Sequence, residues 1–141
     1  MSSQEKIVIK TLSKPTNEDI DTLTDWFCKV FDLASEKDTL EPAMLSEIIK
    51  NSVTGEGTTS KVLNRKLSAP RSTVIYHLNR FIYTGLVVRK GRRYYLRSED
   101  MEGTIEEMQA DIEREFNRML EFAQKMDSLL ESGLYGKRRR K

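Results

Sequence analysis

Residues 71–97 constrain the fold of this chain more than any other stretch. Apolar residues recur at helical spacing over 71–84, and Gly85 follows as a left-handed C-terminal cap, so the pattern predicts a helix that ends there. Two short β-branched and aromatic runs come next, on either side of Lys90 and Gly91, which are the expected turn of a hairpin. The core side of the helix is predicted to be Val74, Leu78 and Phe81.

Charge is distributed unevenly along the chain, although the net charge is only +2. Residues 61–98 contain ten Lys or Arg and no acid, where the average acid content of the chain would place about six. Residues 1–60 carry a net −5, residues 99–136 a net −8, and residues 137–141 a net +5. Such a separation of charge is typical of proteins that bind nucleic acids.

The N-terminal part of the chain is predicted to hold an arm and a helix. Residues 6–12 are apolar and β-branched, which indicates a short strand or an extended arm. Residues 16–34 predict a helix with Thr16 as its N-cap. The apolar stripe of this helix would consist of Ile20, Leu23, Phe27, Val30 and Phe31.

Two further helices are expected before the segment described first. One follows Glu41, with Pro42 in its first turn, and the next spans 60–67 and is capped by Thr59. Residues 53–59 between them are predicted to be a loop. The predicted core residues of these two helices are Leu45, Ile48, Ile49, Val62, Leu63 and Leu67.

Two short helices joined by a three- or four-residue turn and followed by a hairpin have the order of a winged helix-turn-helix. The 37 residues KVLNRKLSAPRSTVIYHLNRFIYTGLVVRKGRRYYLR resemble the winged helix of ArsR-type and related archaeal transcription regulators. The shared features are Leu67, a polar turn, STV, HL, Phe81, GLV and a basic wing that ends in YYL. The resemblance implies a mainly α fold with a small β-hairpin wing. With a long C-terminal helix, the chain is also similar to small coiled-coil winged-helix regulators of crenarchaea.

One departure from that family limits what the resemblance implies. Metal-sensing members carry paired cysteines, whereas this chain has a single cysteine, Cys28. Metal sensing is therefore not expected, and Cys28 is interpreted as a small buried hydrophobic residue.

The predicted helix over 71–84 places Ile75 and Tyr76 on an otherwise polar face. In a major groove, Ile75 would meet a thymine methyl group, while Tyr76 and Asn79 would hydrogen-bond bases or phosphate. Packing of Tyr76 against the hairpin is the alternative. His77 is interpreted as a packing or phosphate-contacting residue rather than a pH switch. The predicted DNA-contacting residues are Arg71, Ser72, Thr73, Ile75, Tyr76, His77, Asn79 and Arg80 on the helix, and Arg89, Lys90, Arg92 and Arg93 on the wing.

Residues 99–131 predict a long helix whose apolar spacing is close to a coiled-coil seam with one irregular step. Such a helix, about 45 Å long, cannot bury its stripe on so small a domain, so a second copy is the expected partner. The alternative is packing on the helix predicted over 16–34. Residues 137–141 are expected to form a disordered basic tail. The predicted dimerisation residues are Ile105, Met108, Ile112, Phe116, Met119, Ala123, Met126 and Leu130.

An enzyme is the least favoured class of function. The chain has one His and one Cys, and it lacks the motifs of a nucleophile elbow, an HExxH zinc site and a P-loop. No catalytic residue, metal site or cofactor is therefore predicted. No run of 18 apolar residues occurs and the N-terminus lacks the apolar core of a secretory signal. We expect a cytoplasmic protein that acts at the nucleoid and has no membrane partner.

Together these features predict a homodimeric, sequence-specific double-stranded DNA-binding transcriptional regulator. One alternative is a nonspecific nucleoid-associated protein, and another is a winged helix that binds proteins, against which the acid-free segment argues. No particular small-molecule effector is indicated. The expected divisions are an arm and helix (1–40), the winged helix-turn-helix (41–98), the dimerisation helix (99–131) and a basic tail (132–141).

Overall fold

The structure, a computed structural model, describes residues 12–31, 33 and 39–133. It is mainly helical, with a small three-stranded antiparallel sheet, and the chain divides into two compact units at residues 105 and 106. Within the described ranges no helix is both long and apolar enough to cross a membrane. The elements are α1 (Ile20–Val30), α2 (Leu40–Val53), β1 (Thr58–Thr59), α3 (Ser60–Lys66), α4 (Arg71–Thr84), β2 (Val87–Lys90), β3 (Arg93–Leu96) and α5 (Met101–Glu131).

Helix α1 begins later than the sequence predicted, because Asp19 rather than Thr16 is its N-cap. The Asp19 carboxylate accepts a hydrogen bond from the backbone N–H of Thr22 at 2.8 Å and from its hydroxyl at 3.0 Å. A carboxylate satisfies the unpaired N–H groups of a first turn better than a distant threonine can. The arm predicted over 6–12 and the tail over 137–141 lie, apart from residue 12, outside the described residues.

The buried face of α1 is rotated from the predicted stripe. Thr24 and Cys28 are buried, whereas Ile20 is 54% exposed. Thr24 can be buried because its hydroxyl donates to the Ile20 carbonyl at 2.7 Å and so keeps a partner. Val30 and Phe31 are buried as predicted, and so is Cys28.

Helices α2 and α3 contribute much of the remaining core. Leu45, Ile48 and Leu63 are fully buried as predicted. The prediction for Val62 is wrong, since this side chain is 41% exposed. A seven-residue helix turns only one narrow face to the core, and Leu63 occupies it. Thr59 caps α3 as predicted, accepting from the backbone N–H of Val62 at 3.1 Å. Half-buried positions are Ile49 and Leu67.

Helix α4 matches its prediction in bounds, core and cap. Val74, Leu78 and Phe81 are fully buried, and Gly85 adopts the left-handed conformation with φ 93° that ends the helix. Four residues, 67–70, connect α3 to α4. The two helices are therefore joined by a connection of the predicted length.

The sheet has the order β1-β3-β2, and the hairpin turn lies one residue later than predicted. Lys90 pairs with Arg93, so Gly91 (φ 65°) and Arg92 form the turn. Strand β1 lies where the sequence predicted only a loop, and its Thr58 pairs with Tyr94 of β3. A two-residue strand has no alternation of its own, which is why the sequence did not reveal it.

Candidate nucleic-acid interface

The side of α4 opposite its buried residues carries polar and aromatic side chains. Tyr76 is 58% exposed, so more than half of its surface is open to a partner. The half-buried residues at the edges of this side are Thr73 and Ile75. The exposed residues on this side include Arg71, Ser72, Tyr76, Asn79 and Tyr83, which is 93% exposed near the C-terminal end of the helix; the first four are called the α4 face below.

His77 does not belong to this exposed face, which corrects its place among the predicted DNA contacts. Its side chain is buried, and its Nδ1 lies 2.5 Å from Oε2 of Glu41. Arg80 is half-buried, and its Nη1 donates to the same oxygen at 3.3 Å. Residues 77 and 80 are therefore tied to α2, and only part of Arg80 can reach a ligand.

Glu41 was predicted only to precede a helix, but α2 begins at Leu40 and includes it, and its contacts with α4 were not predicted. It is fully buried, in the first turn of α2. The sequence contains a pattern that places Glu41 on the core side of α2, because the apolar residues Met44, Leu45 and Ile48 follow it at i+3, i+4 and i+7. All three are buried in the structure. A carboxylate on an apolar stripe indicates a cation on the helix that packs against it.

The hairpin carries four exposed cations, called the hairpin cations below, and two of them lie against tyrosine rings. The guanidinium carbon of Arg89 is 5.6 Å from the centre of the Tyr94 ring, and Nζ of Lys90 is 5.3 Å from that of Tyr95. Cation–π contacts at these distances hold a flexible cation over a ring without neutralising it. The hairpin cations are Arg89, Lys90, Arg92 and Arg93.

The loop before β1 contacts the same hairpin at two residues of β3, Arg93 and Tyr95. Arg93 Nη1 donates to the backbone carbonyl of Glu56 at 3.0 Å, which orients the side chain but leaves its charge in place. Gly57, at φ 68°, lies so close to Tyr95 that an added Cβ would be 2.6 Å from Cε2 of the ring. The loop before β1, part of the loop predicted over 53–59, therefore supports the hairpin.

The positive charges of Arg71 and the hairpin cations are not balanced by ion pairs within the described residues. Arg71 and the four hairpin cations form no ion pair with an acidic side chain in the described part of the chain. All five are exposed. The four hairpin cations lie within residues 89–93, and cations clustered in this way without acidic ion-pair partners raise the local positive potential and favour a polyanionic ligand.

The predicted dimerisation stripe follows one side of α5, and much of it is open. In the second unit the largest exposed apolar side chains are between 45% and 63% exposed. Ion pairs form along the polar side of α5, including Arg118 with Glu115 at 3.0 Å and Lys125 with Glu121 at 3.8 Å. Ile105, Ile112 and Leu130 are half-buried, Met108 is buried, and Phe116, Met119, Ala123 and Met126 are exposed.

Among the described residues, no group of three or more His, Cys, Asp or Glu side chains is arranged to hold a metal ion. Comparison with models of known protein families, with curated proteins and with solved structures gave no significant match.

Proposed function

We propose that this chain is a homodimeric transcriptional regulator that binds double-stranded DNA sequence-specifically through a winged helix-turn-helix. In this proposal α3 and α4 are the helix-turn-helix, the α4 face enters the major groove, and the hairpin formed by β2 and β3 is the wing. The four-residue connection between α3 and α4 agrees with the short turn of that motif.

The observation that carries the proposal is the acid-free segment over 61–98 together with the exposure of its cations. The hairpin cations and Arg71 are exposed and lack acidic partners in the described part of the chain. Duplex DNA carries one negative charge per ~1.7 Å of its axis and would neutralise them while releasing its counterions.

The α4 face supports base reading in addition to phosphate contact. Asn79 can donate and accept toward adenine, and Tyr76 offers a ring and a hydroxyl on the same side of the helix. Arg71 is the first residue of α4, where recognition helices contact base edges. The open stripe on α5 supports the dimer, because large apolar patches on a soluble chain mark interaction surfaces.

Selection of binding sites from a random duplex pool, followed by anisotropy titrations, tests the proposal. A specific regulator should bind the selected site about 10³-fold or more tighter than a scrambled duplex of equal composition. Binding should weaken steeply with salt, with a log–log slope of about −4 to −7 if roughly five to eight phosphates are neutralised.

The outcomes separate the candidate functions. Equal affinity for selected and scrambled duplexes, with the same steep salt dependence, would replace sequence-specific regulation by nonspecific nucleoid binding. Absence of duplex binding at low salt would refute both and leave the protein-interaction module.

A further inference from the structure

Glu41 is a buried carboxylate that contacts two side chains of another helix. It is fully buried in the first turn of α2. Its Oε2 lies 2.5 Å from Nδ1 of His77 and 3.3 Å from Nη1 of Arg80, both on α4. A single oxygen thus joins α2 to two positions, three residues apart, on the helix that carries the α4 face.

Stability alone is a weak explanation for this cluster. Removing a carboxylate from water carries a desolvation cost that its partners only partly offset, and apolar residues of similar volume often stabilise such sites equally well. In some proteins buried ionic groups are retained because they select one arrangement among several. We therefore ask what the fixed positions of His77 and Arg80 would orient.

Both partners of Glu41 contact the same exposed ring. The imidazole of His77 lies 5.2 Å from the Tyr76 ring centre with an interplanar angle of 71°, an edge-to-face contact. The guanidinium carbon of Arg80 lies 5.7 Å from the same centre. Tyr76 is 58% exposed, and an exposed side chain without such neighbours would populate several rotamers.

We infer that Glu41 is a positioning residue for Tyr76: through His77 and Arg80 it fixes the tyrosine ring on the α4 face before DNA arrives. The consequence of this positioning, which is discrimination between DNA sequences, rests on the proposed function. A ring held in place loses less conformational freedom on binding, so its contribution to a preferred site is larger. Without Glu41 the ring would still be present but would need to be ordered during binding.

The first measurement is made on the free protein and is independent of DNA. Aromatic carbon–proton spectra of the full-length chain, with Tyr76→Phe for assignment, report the environment of the Tyr76 ring. Glu41→Gln should move these resonances toward those of an exposed tyrosine. Glu47→Gln is the matched control, because Glu47 is also an acid on α2 but pairs with Lys66 of α3 at 3.0 Å, whereas His77 and Arg80 pair with Glu41. It should leave the Tyr76 resonances unchanged.

The second measurement is the ratio of affinities for a selected and a scrambled duplex. Glu41→Gln should lower this ratio about three- to tenfold, and it should have no further effect in a Tyr76→Ala background. If Glu41→Gln does not fold, Glu41→Met keeps the volume without the charge and is expected to give the same two results.

Unchanged Tyr76 resonances in a folded Glu41 variant would overturn the inference. So would equal losses on both duplexes that add to those of Tyr76→Ala, because that is the behaviour of a purely structural residue. Shifted resonances together with no effect of Tyr76→Ala on DNA binding would support the positioning role and overturn the base-reading role of Tyr76 in the proposed function.

Discussion

Asp19 caps α1 with a carboxylate that accepts from both the backbone N–H and the hydroxyl of Thr22. These hydrogen bonds hold the pKa of Asp19 below its ordinary value of 3.8. A carboxyl group with a lowered folded-state pKa adds stability above its unfolded-state pKa and loses it as the pH falls through the folded-state pKa. We expect Asp19→Ala to lower the Tm near pH 7 and to have progressively less effect below about pH 4.

Thermal unfolding followed by circular dichroism from about pH 7 to about pH 2 measures this. Asp19→Asn is the control, because asparagine keeps a capping oxygen without the charge and should lower the Tm less than alanine. A difference between wild type and Asp19→Ala that stays constant across the range would contradict the role of the ionised carboxylate.

Gly57 is the residue on which the support of the hairpin depends most directly. Its φ is 68°, and a Cβ there would lie 2.6 Å from Cε2 of Tyr95. Gly55 also has a positive φ, 87°, but nothing lies within 4 Å of its Cβ position. Alanine should therefore cost about 1–2 kcal/mol at position 55, for the backbone alone, and about 2–4 kcal/mol at position 57, where overpacking is added.

Urea denaturation of the two alanine variants gives this comparison, with Gly55→Ala as the matched control for backbone strain. Equal losses of unfolding free energy would mean that the Tyr95 ring moves aside at no cost, and that the contact does not hold the hairpin.

At the scale of elements, substitutions on α4 and on the hairpin are expected to change DNA binding in different ways. In the proposed complex Arg92→Ala with Arg93→Ala would remove phosphate contacts, so affinity should fall alike on all duplexes and the salt slope should shrink by about 1 per lost contact. Asn79→Ala should cost about 1–3 kcal/mol on a selected site and much less on a scrambled one. Anisotropy titrations at several salt concentrations measure both. Lys50→Ala, an exposed cation on α2, should change neither.

The two elements would exchange these roles if Asn79→Ala weakened both duplexes equally while the arginine variant lost discrimination. That result would move base reading from α4 to the hairpin.

Elements that depend on local pattern were predictable from the sequence, and those that depend on distant partners were not. The bounds and core of α4 follow from its apolar spacing and from Gly85, all within one segment. Strand β1 exists because Thr58 pairs with Tyr94, far along the chain, and two residues carry no period. For the same reason the α4 face was found from helix spacing, whereas the burial of His77 depends on Glu41 of another helix.

At the scale of the whole molecule, the two signs of charge are segregated along the chain. The acid-free segment 61–98 lies within the first compact unit, which ends at residue 105. The second unit, residues 106–141, contains eight acids and eight cations and so has no net charge, and five of those cations lie in residues 137–141. In the proposed dimer each copy would contribute one basic surface to a site with two-fold symmetry.

The open stripe of the second unit leads to the last prediction, which is that wild-type protein is a dimer. Complete burial of a large apolar side chain contributes about 1.5–3 kcal/mol, so several half-exposed ones from each copy offset an association cost of roughly 4–15 kcal/mol. Light scattering after size exclusion should give twice the 16.4 kDa of one chain. The exposed large apolar side chains of α5, which include three members of the predicted stripe (Phe116, Met119 and Met126), are Phe116, Met119, Leu120, Phe122, Met126 and Leu129.

Met119→Asp with Met126→Asp should give a folded monomer, because both side chains are exposed in the single chain and the new charges would be buried only in a dimer. Asn117→Asp with Gln124→Asp adds the same charge to the same helix beside the stripe, and should remain dimeric. The monomer should bind a selected duplex far more weakly than the dimeric control. In a dimer, binding of one copy at one half-site raises the effective concentration of the other copy at the second half-site, and a monomer lacks this effect. A wild-type monomer at micromolar concentration, or a stripe variant that stays dimeric, would refute dimerisation through α5 and with it the two-half-site arrangement.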